Sequence, residues 1–297
     1  MPALRSTNHS GDQTVSNSVS HSRFVHGGGF RDPLSSFHDF EPSLEAVLKS
    51  DNITASSIRG FASIDYRLSP HPGFPQDYAK TPATQLRVAR HPDHIFDIRA
   101  ALAYLDKQYS LGQDYILLGH SAGATLVYQL LMGEAALASQ PNCRQSSQRT
   151  SNPFEDCSEL QDLSKEFLAP LPRVIIGISG VYDFPGLVTR FEGVRDGLYR
   201  SFVTGAYGSD VQLWKEVSPV NYRGKFSWPG GIAAILAWSP EDTVIDELEI
   251  DCMVRKMKRD GTPVAVIKDL TGEHDVVWEQ GDQVARLIAE ALAHIEK

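Results

Sequence analysis

Ser121 stands in the run Gly119-His120-Ser121-Ala122-Gly123, after the apolar stretch Tyr115–Leu118 and before the helical spacing of Ala122–Met132. A serine hydroxyl is a poor nucleophile unless a base takes its proton, and the base in turn needs a carboxylate to hold its tautomer. The run meets the steric part of that requirement. Glycines two residues either side let strand and helix approach, and the tight turn lifts Oγ out of the sheet. The Ala122 N–H at the helix start then points where negative charge develops on a substrate. The chemistry is acyl transfer through a covalent serine intermediate.

The base and acid should come from loops at the carboxyl ends of later strands. After the apolar run Ile232–Trp238 comes Ser239-Pro240-Glu241-Asp242-Thr243, and after Val264–Ile267 comes Asp269-Leu270-Thr271-Gly272-Glu273-His274-Asp275. Ser121, Asp242 and His274 therefore fall in the order serine, acid, histidine. His274, of ten histidines, alone follows the last strand and precedes the final helix. Glu241 competes with Asp242, which is favoured because it lies one residue further beyond the strand end. Asp275 reads as a loop acid and His120 as a packing residue of the turn. A second set of oxyanion donors is offered by His26-Gly27-Gly28-Gly29 after Phe24-Val25. Glycines there let backbone N–H groups face a ligand closely. Gly28 and Gly29, with Ala122, are the expected donors.

The elements that must position these groups read as an α/β fold with a mostly parallel sheet, because short apolar runs alternate with helical patterns. Strands are expected at Phe24-Val25, Gly60–Tyr66, Tyr115–Leu118, Arg173–Ile178, Ile232–Trp238 and Val264–Ile267. Ile95, Ile98, Leu102 and Leu105 repeat at helical spacing in His94–Tyr109, and a closing helix begins at Asp282, a suitable N-cap. Residues 1–22 are polar and read as a tail, leaving 23–297 as one domain. Gly133–Pro172 is polar and aperiodic and reads as a surface insertion. The segment 183–228, irregular from Ser201 to Trp228, suits a small cap over a site.

The chain has 297 residues and a net charge of −9, with no basic stripe, which argues against nucleic acid or an anionic membrane as partner. Three cysteines, Cys143, Cys157 and Cys252, lack metal-ligand spacing and suggest reduced thiols in a cytoplasmic protein. No apolar leader and no membrane-length run is expected to matter for the fold. The partner is a small-molecule substrate. The oligomeric state stays open, a homodimer included.

Taken together, HGGGF, DYRLSP, GHSAGAT, SPEDTVI and GEHDVV resemble the hormone-sensitive-lipase-like branch of the α/β hydrolases, and within it the fungal kynurenine formamidases (arylformamidases). The match rests on His26–Pro33, Tyr66–Pro70 and His120–Thr125 and runs from about Arg23 to the end, outside the insertion. Phe30 stands where that family has tryptophan, which keeps an aromatic wall and loses an indole N–H. The resemblance implies an α/β-hydrolase fold and hydrolysis of N-formyl-L-kynurenine to L-kynurenine and formate in tryptophan breakdown. It implies no metal and no organic cofactor. Phe30, Tyr182, Phe184 and Trp278 are the expected lining of an aromatic slot, with core packing as the competing role for each. Tyr66-Arg67 reads as structural, the arginine tying loops together. A broad carboxylesterase for small acyl esters would share every catalytic residue. An inactive hydrolase-fold binding protein would typically lack one of the three.

Overall fold

The apolar runs become six strands, β1 (Ser20–Val25), β2 (Ile58–Ile64), β3 (Tyr115–His120), β4 (Val174–Ile178), β5 (Ala233–Ala237) and β6 (Val264–Ile267). The computed structural model describes residues 20–50, 58–110, 112–137 and 169–295. The expected tail up to residue 19 and the expected insertion from 138 to 168 lie outside the described residues. All neighbouring strands pair in parallel, in the order β2-β1-β3-β4-β5-β6. β3, β4 and β5 are buried at every position. A parallel sheet covered on both faces demands unbroken apolar runs, which is why these three are plain in the sequence. β1 reaches back to Ser20, into the polar stretch expected to be tail. Its pairing with both β2 and β3 fixes it there, and Ser22 is fully buried despite its polarity.

Nine helices cover the sheet among the described residues: α1 (Glu41–Lys49), α2 (Asp93–Tyr109), α3 (Ala122–Leu131), α4 (Phe184–Arg190), α5 (Leu198–Tyr207), α6 (Val211–Val217), α7 (Glu247–Asp260), α8 (Val276–Gln280) and α9 (Asp282–Ile295). Two apolar clusters result, one per face. The first joins α2 to α7 through side chains such as Ile95, Leu126, Phe184 and Met253. The second joins α1, α8 and α9 through Val47, Val277 and Leu287. The segment 183–228 is more helical than its sequence suggests, since it contains α4, α5 and α6. Their short length and glycines hide the period. α5 still buries Tyr199, Phe202, Val203, Ala206 and Tyr207 at spacings of one, three and four.

The register aligns the strand ends. Val25 pairs with Gly119, His120 with Ile178, Ile178 with Ala237, and Ala237 with Ile267. The ladder continues one residue further, with Ser121 N–H donating to Ile178 O, Ser179 N–H to Ala237 O and Trp238 N–H to Ile267 O, each at 2.9 Å. After β1 the chain turns outward to β2, and after β3 it turns the other way to β4. The crevice between the ends of β1 and β3 is thus a topological switch point, where open α/β sheets bind ligands.

Candidate active site

Ser121 sits between β3 and α3 with φ 52° and ψ −120°, a conformation that costs a non-glycine residue about 1–3 kcal/mol. The surroundings enforce it. A Cβ on Gly119 would lie 2.4 Å from Gly123 O, and one on Gly123 only 2.1 Å from Val25 O. Both glycines of the run are therefore required by backbone contact, at the crossing of β3, α3 and the end of β1. The serine is 7% exposed, and the Ala122 amide, first in α3, has no intrahelical acceptor.

The glycine turn lies directly over this elbow. A Cβ on Gly27 would meet His120 Nδ1 at 2.9 Å and Ser121 Cβ at 3.0 Å. Gly28, Gly29 and Phe30 all take positive φ, at 80°, 55° and 66°. The turn closes through Arg31 N–H and Asp32 N–H, which donate to Gly28 O at 3.0 and 2.8 Å. Tyr66 holds it from below. Its hydroxyl donates to Gly27 O at 2.7 Å and reaches His26 O at 3.2 Å, while its ring stacks on His26 at 4.4 Å. Ser69 N–H donates to Phe30 O at 2.9 Å, and Arg67 clamps Asp97 and Asp93 of α2. Tyr66-Arg67, read as structural from its sequence, forms with Ser69 the cradle of the glycine turn.

Asp242 and His274 meet across two loops. His274 Nδ1 donates to Asp242 Oδ2 at 2.8 Å, and Asp242 Oδ1 accepts from Val244 N–H and Ile245 N–H at 2.8 and 2.9 Å. Burial alone would raise the Asp242 pKa. The hydrogen bond and charge of His274, with the Ile245 amide and the Ser179 hydroxyl, override it and hold the carboxyl below its ordinary value. Glu241 points elsewhere and accepts from Gly272 N–H at 3.1 Å. Three contacts not foreseen from sequence stitch the loops together: Ser239 Oγ to Gly272 O, Thr243 Oγ1 to Glu273 Oε2, both at 2.7 Å, and His120 Nε2 to His274 O at 2.9 Å. The last ties the elbow to the histidine loop. Burial, and then the neighbouring His274, lower the His120 pKa to about 3, so His120 stays neutral and donates. No sequence signal marked that role, because a histidine beside a candidate nucleophile has several bland readings.

Among the described residues the Ser121 hydroxyl has no hydrogen-bond partner, and the ring of His274 bonds only Asp242. Bonds between nucleophile and base are often long before substrate binds and tighten afterwards. His120, His274 and Asp275 bring ligand atoms within 4.8 Å of one another, the metal-like grouping among the described residues. One ring nitrogen of each histidine is already committed, to Asp242 and to the His274 carbonyl.

The four expected pocket residues do not form one slot. Phe30 and Phe184 share a fully buried aromatic box with His94, Phe202 and Tyr207, the two phenyl rings 6.2 Å apart. They back the glycine turn from within the core. Tyr182 is also fully buried, its hydroxyl against Gly177 and Gly180 and its ring edge-on to Tyr128 at 5.4 Å. Trp278 lies in the cluster on the opposite face and donates to Asp275 Oδ1 at 3.1 Å. Aromatic residues in strand-end loops pack inward here because the helices of 183–228 bring a second apolar layer to meet them.

Comparison with known proteins agrees with this geometry. A model described as "Alpha/beta hydrolase family" matches residues 24–287. The kynurenine formamidase-like hydrolase fscH of Fusarium equiseti is 31% identical over 280 residues, covering 92% of this chain and 83% of that protein. The kynurenine formamidase avaC of Aspergillus versicolor is 29% identical, covering 88% and 84%. Among solved structures, a hormone-sensitive lipase from a metagenome library superposes with a TM-score of 0.54 at 20% identity, covering 92% of this chain and 77% of that one. With its parallel sheet and the serine elbow at the sheet's switch point, this chain belongs to the alpha/beta hydrolase family.

Proposed function

We propose that the protein is a serine hydrolase that cleaves the formyl amide of N-formyl-L-kynurenine, releasing formate and L-kynurenine. Ser121 Oγ attacks the formyl carbon while His274, through the Nε2 left free by Asp242, takes its proton. The oxyanion lies against the N–H groups of Gly28, Gly29 and Ala122, each worth roughly 3 kcal/mol of transition-state stabilisation. His274 then returns the proton to the aniline nitrogen as the C–N bond breaks. Water, deprotonated by His274, attacks the formyl-serine, and His274 returns that proton to Ser121 Oγ as the C–Oγ bond breaks and formate leaves. Asp242, held ionised, stabilises the imidazolium without accepting its proton.

The observation that carries the chemistry is the 2.8 Å bond between His274 and Asp242 beside a strained serine elbow. The formyl amide is favoured over a simple ester because relatives that match along nearly the whole chain are a kynurenine formamidase and a kynurenine formamidase-like hydrolase. An aniline leaving group is less basic than an alkyl amine, so a serine site of this kind can expel it. No helix among the described residues is long and apolar enough to cross a membrane. Action in the cytoplasm is part of the proposal, supported by the sparse cysteines. The test is a comparison of kcat/KM on N-formyl-L-kynurenine and on short-chain nitrophenyl esters. The formamide is expected to be far the better substrate. The reverse ranking would favour the carboxylesterase reading, to which the fold is equally suited.

A further inference from the structure

A cavity of about 700 Å³ opens beside the glycine turn, between α5 and the 70–90 segment. Ser121 and His274 do not line it, but Arg31 does. Arg31 follows Gly29 by two residues in the same turn, so their Cα atoms are at most about 7.6 Å apart. The cavity is thus lined by a residue of the glycine turn itself, and its volume suits a small ligand. Arg31 is only 5% exposed, and among the described residues its side chain makes one hydrogen bond, to Ser201 Oγ at 2.8 Å. That acceptor is neutral. Asp32, the nearest acid in sequence, commits Oδ1 to Leu34 N–H at 2.9 Å. Arg87 lines the same cavity, donates to Phe74 O at 2.6 Å and has a buried Nε without a partner. Arg90 and Arg200 stand on the walls. His71, also lining the space, has its pKa lowered by burial and then by Arg31, with Asp32 opposing and Arg87 adding to the lowering.

Burial lowers the Arg31 pKa and the charge of Asp32 opposes it, but no carboxylate is bonded to the guanidinium among the described residues, and a guanidinium is shaped for a carboxylate taken through two parallel bonds. Proline and phenylalanine surfaces at Pro70, Pro72 and Phe74 lie beside the cations and suit an organic acid better than a hydrated inorganic ion. We propose that this cavity is an acid-binding subsite in which Arg31, supported by Arg87, receives the carboxylate of an aryl amino-acid substrate whose scissile amide lies at the Gly28–Gly29 end of the turn. The proposal deepens the formamidase reading and, in naming that substrate, rests on it.

The test compares N-formyl-L-kynurenine with 2-formamidoacetophenone, the same anilide without the amino-acid group. In Arg31→Gln, the ratio of kcat/KM for the acid to that for the neutral anilide is expected to fall at least tenfold, mainly through KM. Arg31→Lys should recover part of it, and Arg87→Gln should lower it about threefold or more. An unchanged ratio in both glutamine variants overturns the subsite. If Arg31→Gln does not fold, by circular dichroism, Arg87→Gln decides. If the wild type cleaves neither anilide, the formamidase reading fails on its own. The subsite then stands or falls on calorimetric binding of 4-phenylbutyrate to the wild type, against 4-phenylbutanamide and inorganic phosphate. Acid binding at least tenfold tighter than amide and phosphate, weakened in Arg87→Gln, supports it. Equal binding of the three sinks it.

Discussion

At Asp242 and Glu241 two adjacent carboxylates compete for one imidazole, and the loop decides between them. The Val244 and Ile245 amides pin Asp242 Oδ1, which turns Oδ2 onto His274, while Glu241 is spent on the Gly272 amide. Asp242→Asn is therefore expected to lower kcat by about ten-thousandfold through the wrong tautomer. Glu241→Gln should cost less than about tenfold, since the amide oxygen can still accept from Gly272 N–H in a loop already held by Ser239 and Thr243. Steady-state rates on the formamide read both, and a reversed order would reassign the acid. Ser121→Ala and His274→Ala should each cost about a millionfold, with the double variant little worse, because the two act as a unit. These side chains were legible because their chemistry imposes an order along the chain. His120, Ser239 and Glu273 were not, since their contacts join loops distant in sequence. The aromatic residues misled because composition names a ring without saying which face of the sheet it meets.

The glycine turn shows how one element depends on another that shares no chemistry with it. The turn proposed to hold the oxyanion takes three successive positive φ angles from Gly28 to Phe30, and Phe30 has no glycine freedom to make that cheap. Tyr66 compensates by donating to Gly27 O while stacking on His26. Tyr66→Phe keeps the stack and deletes the donor, leaving a buried carbonyl short of a partner at a cost of about 1–3 kcal/mol. The expected result is a lower Tm and a fall in kcat with KM little changed, because the loss acts on the oxyanion amides more than on substrate binding. A fall in Tm with kcat intact would make Tyr66 structural only. At this scale the sequence revealed the strands best. β3, β4 and β5 announce themselves because burial on both faces permits little but apolar side chains. β1 conceals its first residues, since His21 and Ser22 are held by pairing on both edges and Ser20 by pairing with β2. The helices α4 and α6 conceal themselves because each is too short to repeat its pattern, and α5 because its pattern lies in a stretch broken by glycines and aromatics.

Over the whole molecule, parallel crossovers make one ordering of strands serve the site, and the loops that matter emerge on one line because the register aligns the strand ends. The same burial that supports this arrangement sets its response to acid. Burial lowers the pKa of His26 to about 4 and of His94 to about 3, and His120 is depressed by burial and by His274. In the unfolded chain all three titrate near 6.5. Below that pH the unfolded form gains protons that the folded form refuses, so stability intact above pH 6.5 drains away as pH falls toward 4. Each histidine contributes a slope of about 1.4 kcal/mol per pH unit. Asp39 and Glu249 act in the opposite sense, because burial raises their pKa values to about 6 and about 7 and the folded form keeps protons there that the unfolded form releases. These two carboxyls offset part of the histidine slope. Removing one of the histidines should therefore lower the loss on acidification by about 1.4 kcal/mol per pH unit, measured by urea unfolding. His94 lies away from the elbow and bonds the Ser69 hydroxyl at 3.0 Å, so His94→Gln removes one titration without touching the serine or its acid–base pair. That variant should lose about 1.4 kcal/mol per pH unit less than the wild type between pH 6 and pH 5. A wild-type slope that survives in it would mean that the acid sensitivity is set by other groups and that His94 is protonated in the folded chain.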